Sequence, residues 1–381
     1  MFKEPSLLDW SNHVVLLEYG DQWRHHRRML NNWLNAHAVS QFHCLQEHQV
    51  RLMLRRLVNV PGESHPFEEV KDALFYSHRL IRGNVYNQPD FLVNVFPSLK
   101  YVPDWFPGTG WKRTAREWRA LKESAQSLPY EWTKTQLEAG VTEPSILSML
   151  LQNHRLTSNL TAKEKELRLK ELTWIIVAAG TDTTSATLTA FVAAMVLNSH
   201  VQTKAQKELD DILGLVSLPT MADQERLPYI RNLIQEVLRW HPVAPIGVPH
   251  SCRQDDIYEG YEIERGTIVI GNIWAITRNK VVYKDPEVFD PDRFLDPSVP
   301  YAPAFGWGRR KCPGVYFAEA SLFITAATLL ATFRFSQKKD SNGQEIPPRL
   351  EAVSNSIVME LKPFEFELEF RSDKHRQLIP E

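Results

Sequence analysis

The stretch Phe305-Gly306-Trp307-Gly308-Arg309-Arg310-Lys311-Cys312-Pro313-Gly314 decides how the rest of the chain is read. Gly306 and Gly308 allow a tight, irregular backbone ahead of the cysteine, and Gly314 lets the main chain approach a flat ligand closely. A strongly apolar stretch runs on from Pro313 to Phe333, and proline is favoured in the first turn of a helix. Cys312 is therefore expected at a helix N-terminus, where the dipole and free N–H groups favour a thiolate, with three cations directly before it. An axial iron thiolate needs these conditions: it must be deprotonated, hydrogen-bonded and shielded, here by Phe305 and Trp307. Taken alone, Cys312 could be an inert buried cysteine. The ten-residue constellation favours the ligand.

Composition narrows the field. At 381 residues the chain is one large domain or two, and 43% hydrophobic against 24% charged residues allows a large buried core. Lys plus Arg (44) nearly cancels Asp plus Glu (46), so a net charge of −2 argues against nucleic acid as a partner. Cys44, Cys252 and Cys312 lie far apart without a CxxC pair, which argues against a disulfide framework or a Cys-rich zinc site and suits a reducing compartment. The N-terminal Met1-Phe2-Lys3-Glu4-Pro5 reads as neither signal peptide nor anchor. Leu172 to Leu197 is apolar enough to suggest a membrane span, but Gly180-Thr181-Asp182-Thr183-Thr184-Ser185 in its middle would be costly in lipid. A buried helix of a large soluble fold is expected there.

The pattern along the chain is mostly helical, with a minor antiparallel sheet toward the C-terminal half. Helical periodicity covers 19–60, 111–139, 143–156, 164–198, 200–213, 227–240 and 313–333, the run at 164–198 being the longest. The helix ending at Trp240 stops because Pro242 disfavours helical geometry in His241. Residues 86–110 and 284–311 read as irregular connections rich in Pro, Gly and aromatics. Short strands are expected around 258–263 and 267–270, and strict alternation over Phe364–Phe370 signals a half-buried strand.

Three further constellations carry chemistry or scaffold. In Ala178-Ala179-Gly180-Thr181-Asp182-Thr183-Thr184, small residues at 179 and 180 leave a groove, and Thr183 shares a face with Ala179 at i, i+4. Asp182 beside Thr183 can relay protons through ordered water; a simple helix kink is the plainer alternative. Glu236 and Arg239 stand at i, i+3 among core-type neighbours, and Arg293 in Pro291-Asp292-Arg293-Phe294 offers a third partner. Trp23 and Arg27 stand at i, i+4 and suit a carboxylate, though a basic helix surface would look the same. The adjacent His25 and His26 do not face one another on a helix and are set aside as metal ligands.

Phe305, Gly308, Arg310, Cys312 and Gly314 together resemble the Phe-x-x-Gly-x-Arg-x-Cys-x-Gly signature of the cytochrome P450 family of heme-thiolate monooxygenases. The resemblance runs from about Tyr19 to the C-terminus. It implies a mainly α fold: a single domain over 1–381 with a minor antiparallel sheet, and heme between the long central helix and the helix after the cysteine loop. Carried over by position, it makes Cys312 the proximal ligand of heme b (iron protoporphyrin IX). Arg310, Trp23, Arg27 and, less directly, His250 of Val248-Pro249-His250 become contacts of the heme propionates. Ala179 falls in the oxygen-activation motif, with Asp182 and Thr183 as its acid and alcohol, and Glu236, Arg239 and Arg293 form a structural triad.

The resemblance is closest to eukaryotic microsomal members, and around Asn272-Ile273-Trp274-Ala275-Ile276 to fungal ones that tailor secondary metabolites. Such relatives sit on the cytosolic face of the endoplasmic reticulum membrane. They carry an anchor, a first helix and first strands, none of which is recognised in this chain, so it reads as N-terminally truncated, soluble or peripheral. The implied reaction inserts one oxygen atom of O2 into an apolar small molecule. Electrons would come from NADPH-cytochrome P450 reductase, with cytochrome b5 a second donor, because no GxGxxG nucleotide site follows a strand. Arg309, Lys311, Arg24 and Arg28 would dock that acidic partner. Substrate contacts are expected from loops near 1–18, 75–110, 243–247 and 350–358. Two rivals stand beside this reading: a reductase-independent heme-thiolate isomerase, dehydratase or peroxygenase, which commonly lacks the acid–alcohol pair, and a non-catalytic remnant.

Overall fold

The computed structural model of the chain describes residues 4, 7–63, 65–74, 92–94, 96–141, 145–214, 217–353 and 358–379. These form two compact units, Met1–Val39 with Ser77–Thr181, and Ser40–Tyr76 with Asp182–Glu381.

The first unit contains α1 (Asp21–Leu34), and later in the chain α4 (Gly110–Glu138), α5 (Ile146–Gln152) and the first part of α6 (Ala162–Leu197). The helical pattern expected over 19–60 is broken after Leu34. Asn35 turns extended, and its side-chain oxygen accepts the N–H groups of His37 and Ala38, both at 3.0 Å, an Asx turn that competes with the helix. Ser145 caps α5 reciprocally with Ser148, a capping box. The core of this unit holds Leu8, Trp10, Trp174 and Ala178, with Leu16, Trp118 and Ala125 packed on it.

The second unit begins with α2 (His43–Leu57) and α3 (Phe67–Leu74). It continues from the rest of α6 through α7 (Ser199–Leu213), α8 (Pro228–Trp240), α9 (Ile273–Thr277) and α10 (Val315–Thr332) to α11 (Asp373–Arg376). Neither α3 nor α9 is anticipated from the sequence pattern; α3 buries Phe67, Val70 and Ala73, a three-residue spacing too short to stand out. Helix α10 packs against α2, α7 and α8. The carboxylate of Glu208 on α7 accepts the first N–H groups of α8, from Tyr229 at 2.8 Å and Ile230 at 3.1 Å, and so satisfies an exposed helix end.

Among the described residues the strands form four two-stranded antiparallel ladders: β1 (His250–Ser251) with β4 (Ile268–Val269), β2 (Asp256–Tyr258) with β3 (Tyr261–Ile263), β5 (Phe333–Ser336) with β8 (Glu367–Phe370), and β6 (Lys338–Lys339) with β7 (Glu345–Ile346). The β5–β8 pair is locked to α7 by Gln202, which donates to Phe335 O at 2.8 Å and accepts from Phe335 N–H at 2.9 Å. The alternation expected over 364–370 appears as burial of Phe364, Phe366 and Leu368.

Candidate active site

In the second unit the cysteine loop departs from a plain helix start. Residues 308–310 form a 3-10 turn, Gly314 is the N-cap, and α10 begins at Val315, two residues later than proline placement suggests. Cys312 therefore stands ahead of the helix, on a loop pinned by its own N–H donating to Phe305 O at 2.8 Å and by Lys311 N–H donating to Gly308 O at 3.1 Å. Gly306 (φ 71°) and Gly308 (φ 54°) occupy the left-handed region that a side chain would strain. The Cys312 thiol is exposed. A Cβ on Gly314 would stand 3.9 Å from its sulfur, an ordinary van der Waals contact, so Gly314 lies directly beside the sulfur.

The loop is braced by a contact that motif reading does not find. A Cβ on Gly271 would lie 2.4 Å from a ring carbon of Trp307, so only glycine lets that ring lie against the backbone. Gly247 (φ 61°) approaches Gly271 in turn, its missing Cβ 3.3 Å from Gly271 O. His250 opens β1 three residues on and is exposed. Trp307 remains 48% exposed and Phe305 half-buried, so Trp307 only partly shields the sulfur side of the loop.

In the same unit the Glu-x-x-Arg pair is buried and closed. The Glu236 carboxylate accepts from Arg239 Nε (2.7 Å) and Nη2 (2.8 Å), from Arg293 Nε (3.1 Å to each oxygen) and from Asp290 N–H (2.8 Å). Arg239 also donates to Thr277 O and Pro286 O, and Arg293 to Lys284 O, which ties α8, α9 and the 284–295 segment together. Side chains of Glu236 and Arg239 are fully buried and that of Arg293 is 5% exposed.

On α6, Ala179 and Gly180 are exposed between the buried Ala178 and Thr181, and a Cβ on Gly180 would meet nothing within 4 Å. Asp182 and Thr183 follow, half-buried. Burial first, and the charge of Glu360 second, push the Asp182 carboxyl up to about 6. Thr183 O accepts from Thr187 Oγ1 at 2.9 Å.

In the first unit, Trp23 is buried and the Arg27 guanidinium lies 5.7 Å from its ring centroid, so the pair expected on one face of α1 does stack. His25 and His26 turn to different partners: His26 Nδ1 to Gln22 O, and His25 to Leu156 O and Arg168, all at 2.8 Å. Burial drives His26 down to about 4. Arg24 is ion-paired with Asp21. Of the expected substrate loops, the parts at 1–3, 5–6, 75–91, 95 and 354–357 lie outside the described residues.

The donor set suits a porphyrin. Among the described residues no group of three or more His, Cys, Asp and Glu could hold a metal. A single exposed thiol on a glycine-lined loop fits an iron whose four equatorial ligands come from a macrocycle.

The family model for cytochrome P450 matches residues 77–368. A cytochrome P450 monooxygenase of Armillaria gallica is 34% identical over 409 residues, covering 98% of this chain and 79% of the relative. One from Coprinopsis cinerea is 36% identical, with 98% and 76% covered, and a multifunctional cytochrome P450 monooxygenase of Aspergillus fumigatus is 32% identical, with 98% and 75% covered. Among solved structures, a zebra fish cytochrome P450 with abiraterone superposes with a TM-score of 0.73 at 22% identity, covering 98% of this chain and 87% of that one. At that identity the likeness speaks to the fold alone.

Proposed function

The chain belongs to the cytochrome P450 family, and on that premise we propose that it oxygenates an apolar small molecule of fungal secondary metabolism with electrons from an NADPH-dependent reductase. The family assignment makes it a heme-dependent monooxygenase. The observation that carries the heme-thiolate part of this reading is the exposed Cys312 thiol on its pinned loop, and the fungal monooxygenase relatives support the rest.

In this reading Cys312 Sγ would ligate the heme iron, and Arg310, Trp23, Arg27 and His250 would hold the propionates. Phe305 would shield the sulfur, and Gly314 would keep side-chain bulk away from it. Heme, when bound, supplies the iron at which dioxygen is activated. Ala179 leaves room for substrate and oxygen beside α6. Asp182 holds a proton on its carboxyl in a useful fraction of molecules near neutral pH, because burial and Glu360 raise it. The Thr183 hydroxyl would receive that proton through water and pass it on.

We place the working protein at a membrane surface. Leu92, Phe96, Tyr101, Trp105 and Phe106 form an exposed apolar run in the first unit, with Trp and Tyr suited to the headgroup region. Two helices, Ala162–Leu197 and Val315–Thr332, are long and apolar enough to cross a bilayer, but their apolar windows are 56% and 72% buried, as in core helices.

The test is the absorption spectrum of the purified chain, reduced and exposed to carbon monoxide, beside Cys312→Ala. A strongly red-shifted Soret band lost in the variant is expected; an unshifted band in the parent refutes the ligand assignment. Oxygen uptake that requires both NADPH and reductase separates this reading from a reductase-independent isomerase or peroxygenase.

A further inference from the structure

We propose that Glu360, held by Lys71, is a positioning residue for proton delivery at Asp182, linking the half-buried acid of α6 to the surface of the second unit. The proposal rests on the reading of Asp182 as the proton-delivering acid. Neither Glu360 nor Lys71 belongs to a motif.

Glu360 sits on a segment whose main chain is fixed on both sides. Met359 N–H donates to Val243 O and Val353 N–H to Glu360 O, both at 2.8 Å, and Leu361 is buried and bridges Ala352. Its carboxylate meets Lys71 Nζ at 3.5 Å, with the side chains 30% and 16% exposed. Lys71 extends from α3, lies 5.8 Å from the Phe67 ring centroid, and lines a small cavity with Thr189 and Val192 of α6 and with Phe364 and Phe366. Thr189 is seven residues beyond Asp182, two helical turns along the same stripe. Helix α3 and the 359–366 segment therefore face the side of α6 that carries the acid.

The surrounding charges leave Glu360 as the group acting on Asp182. On α6 the neighbours Thr181, Thr183 and Thr184 are uncharged. On the facing segment, Lys362 pairs with Glu351 at 2.9 Å, and Glu365 with Lys338 at 3.4 Å and His65 at 3.7 Å. Burial alone raises a carboxyl; a second carboxylate raises it further, and Lys71 tempers that second effect. A donor poised near neutrality both gives up its proton and recovers it quickly. Glu360 and Lys71, both partly exposed, connect it to solvent.

The experiment follows the protonated carboxyl band of Asp182 by infrared titration of the holoprotein, with Asp182→Asn assigning the band, in the parent, Glu360→Gln and Lys71→Met. Glu360→Gln is expected to move the titration down by about half a pH unit, the scale of one partly screened charge. Lys71→Met is expected to move it up, and Glu360→Asp to restore part of the parent value. The pH dependence of reductase-driven turnover should shift in parallel, with more reduced oxygen lost as peroxide in Glu360→Gln. A band that stays put in both Glu360→Gln and Lys71→Met overturns the proposal, whatever turnover does. A band that moves while the turnover profile does not leaves the coupling standing and refutes the assignment of Asp182 to proton delivery.

Discussion

Replacing Glu236 by alanine leaves two guanidiniums, Arg239 and Arg293, facing each other in a site that water does not reach. All donors converging on Glu236 lose their acceptor at once: Arg239 Nε and Nη2, Arg293 Nε and the Asp290 N–H. Arg239 keeps carbonyl partners at Thr277 and Pro286, and Arg293 keeps Lys284 O, so hydrogen bonding is only partly lost while charge compensation is removed entirely. Removing one member of a buried ion pair costs about 3–5 kcal/mol, mostly the penalty of the stranded charge. For a unit of this size that is a drop in Tm of roughly 10 °C. The contrast with a triple replacement, Glu236→Met with Arg239→Met and Arg293→Met, isolates the cause. It removes all three charges and keeps apolar volume, so it should cost less than Glu236→Ala. Equilibrium urea unfolding followed by circular dichroism measures both. If Glu236→Ala loses less than about 1 kcal/mol, or the triple variant is the worse of the two, the stranded-charge argument fails.

Gly271→Ala places a methyl 2.4 Å from the Trp307 ring and should cost about 1–3 kcal/mol, with weakened heme retention; combining it with Trp307→Leu should recover most of the loss, read by thermal unfolding. Asp182 has a folded value near 6 against 3.8 unfolded, so the folded state binds the extra proton and stability falls as pH rises from about 4 to 6. Asp182→Asn should therefore stabilise at pH 7, by at most about 3 kcal/mol, and make little difference at pH 4. His13, His26 and His241 are each held near 4 by burial, so the unfolded chain gains protons first and stability is lost as pH falls from 6.5 toward 4. Replacing His26 by glutamine should flatten that acid limb in urea titrations. Lys207→Ala serves as the control: its pair with Asp211 is 70% and 60% exposed, and its loss should stay within about 0.5 kcal/mol.

The family resemblance was legible from short sequence patterns because its chemistry depends on local backbone. The left-handed glycines at 306 and 308 and the glycine beside the sulfur act within a few residues of Cys312, so ten consecutive letters suffice. Helix periodicity located the long runs to within a few residues: α6 was expected over 164–198 and spans Ala162–Leu197. It failed where a short side chain overrides the pattern, as Asn35 does by turning its own backbone out of the helix.

Sequence by itself determined where the family's motifs fall: a lone cysteine in a glycine-rich basic loop, an acid beside an alcohol on an apolar helix, and a glutamate spaced to reach its arginine. Only the tertiary structure decided what surrounds them. Trp307 needs Gly271 from a segment 36 residues earlier. The Glu236 carboxylate takes its fourth donor from the Asp290 backbone. Asp182 is raised by Glu360, itself held by Lys71 from α3. Burial and long-range electrostatics depend on distances through space, and those distances exist only after the chain has packed.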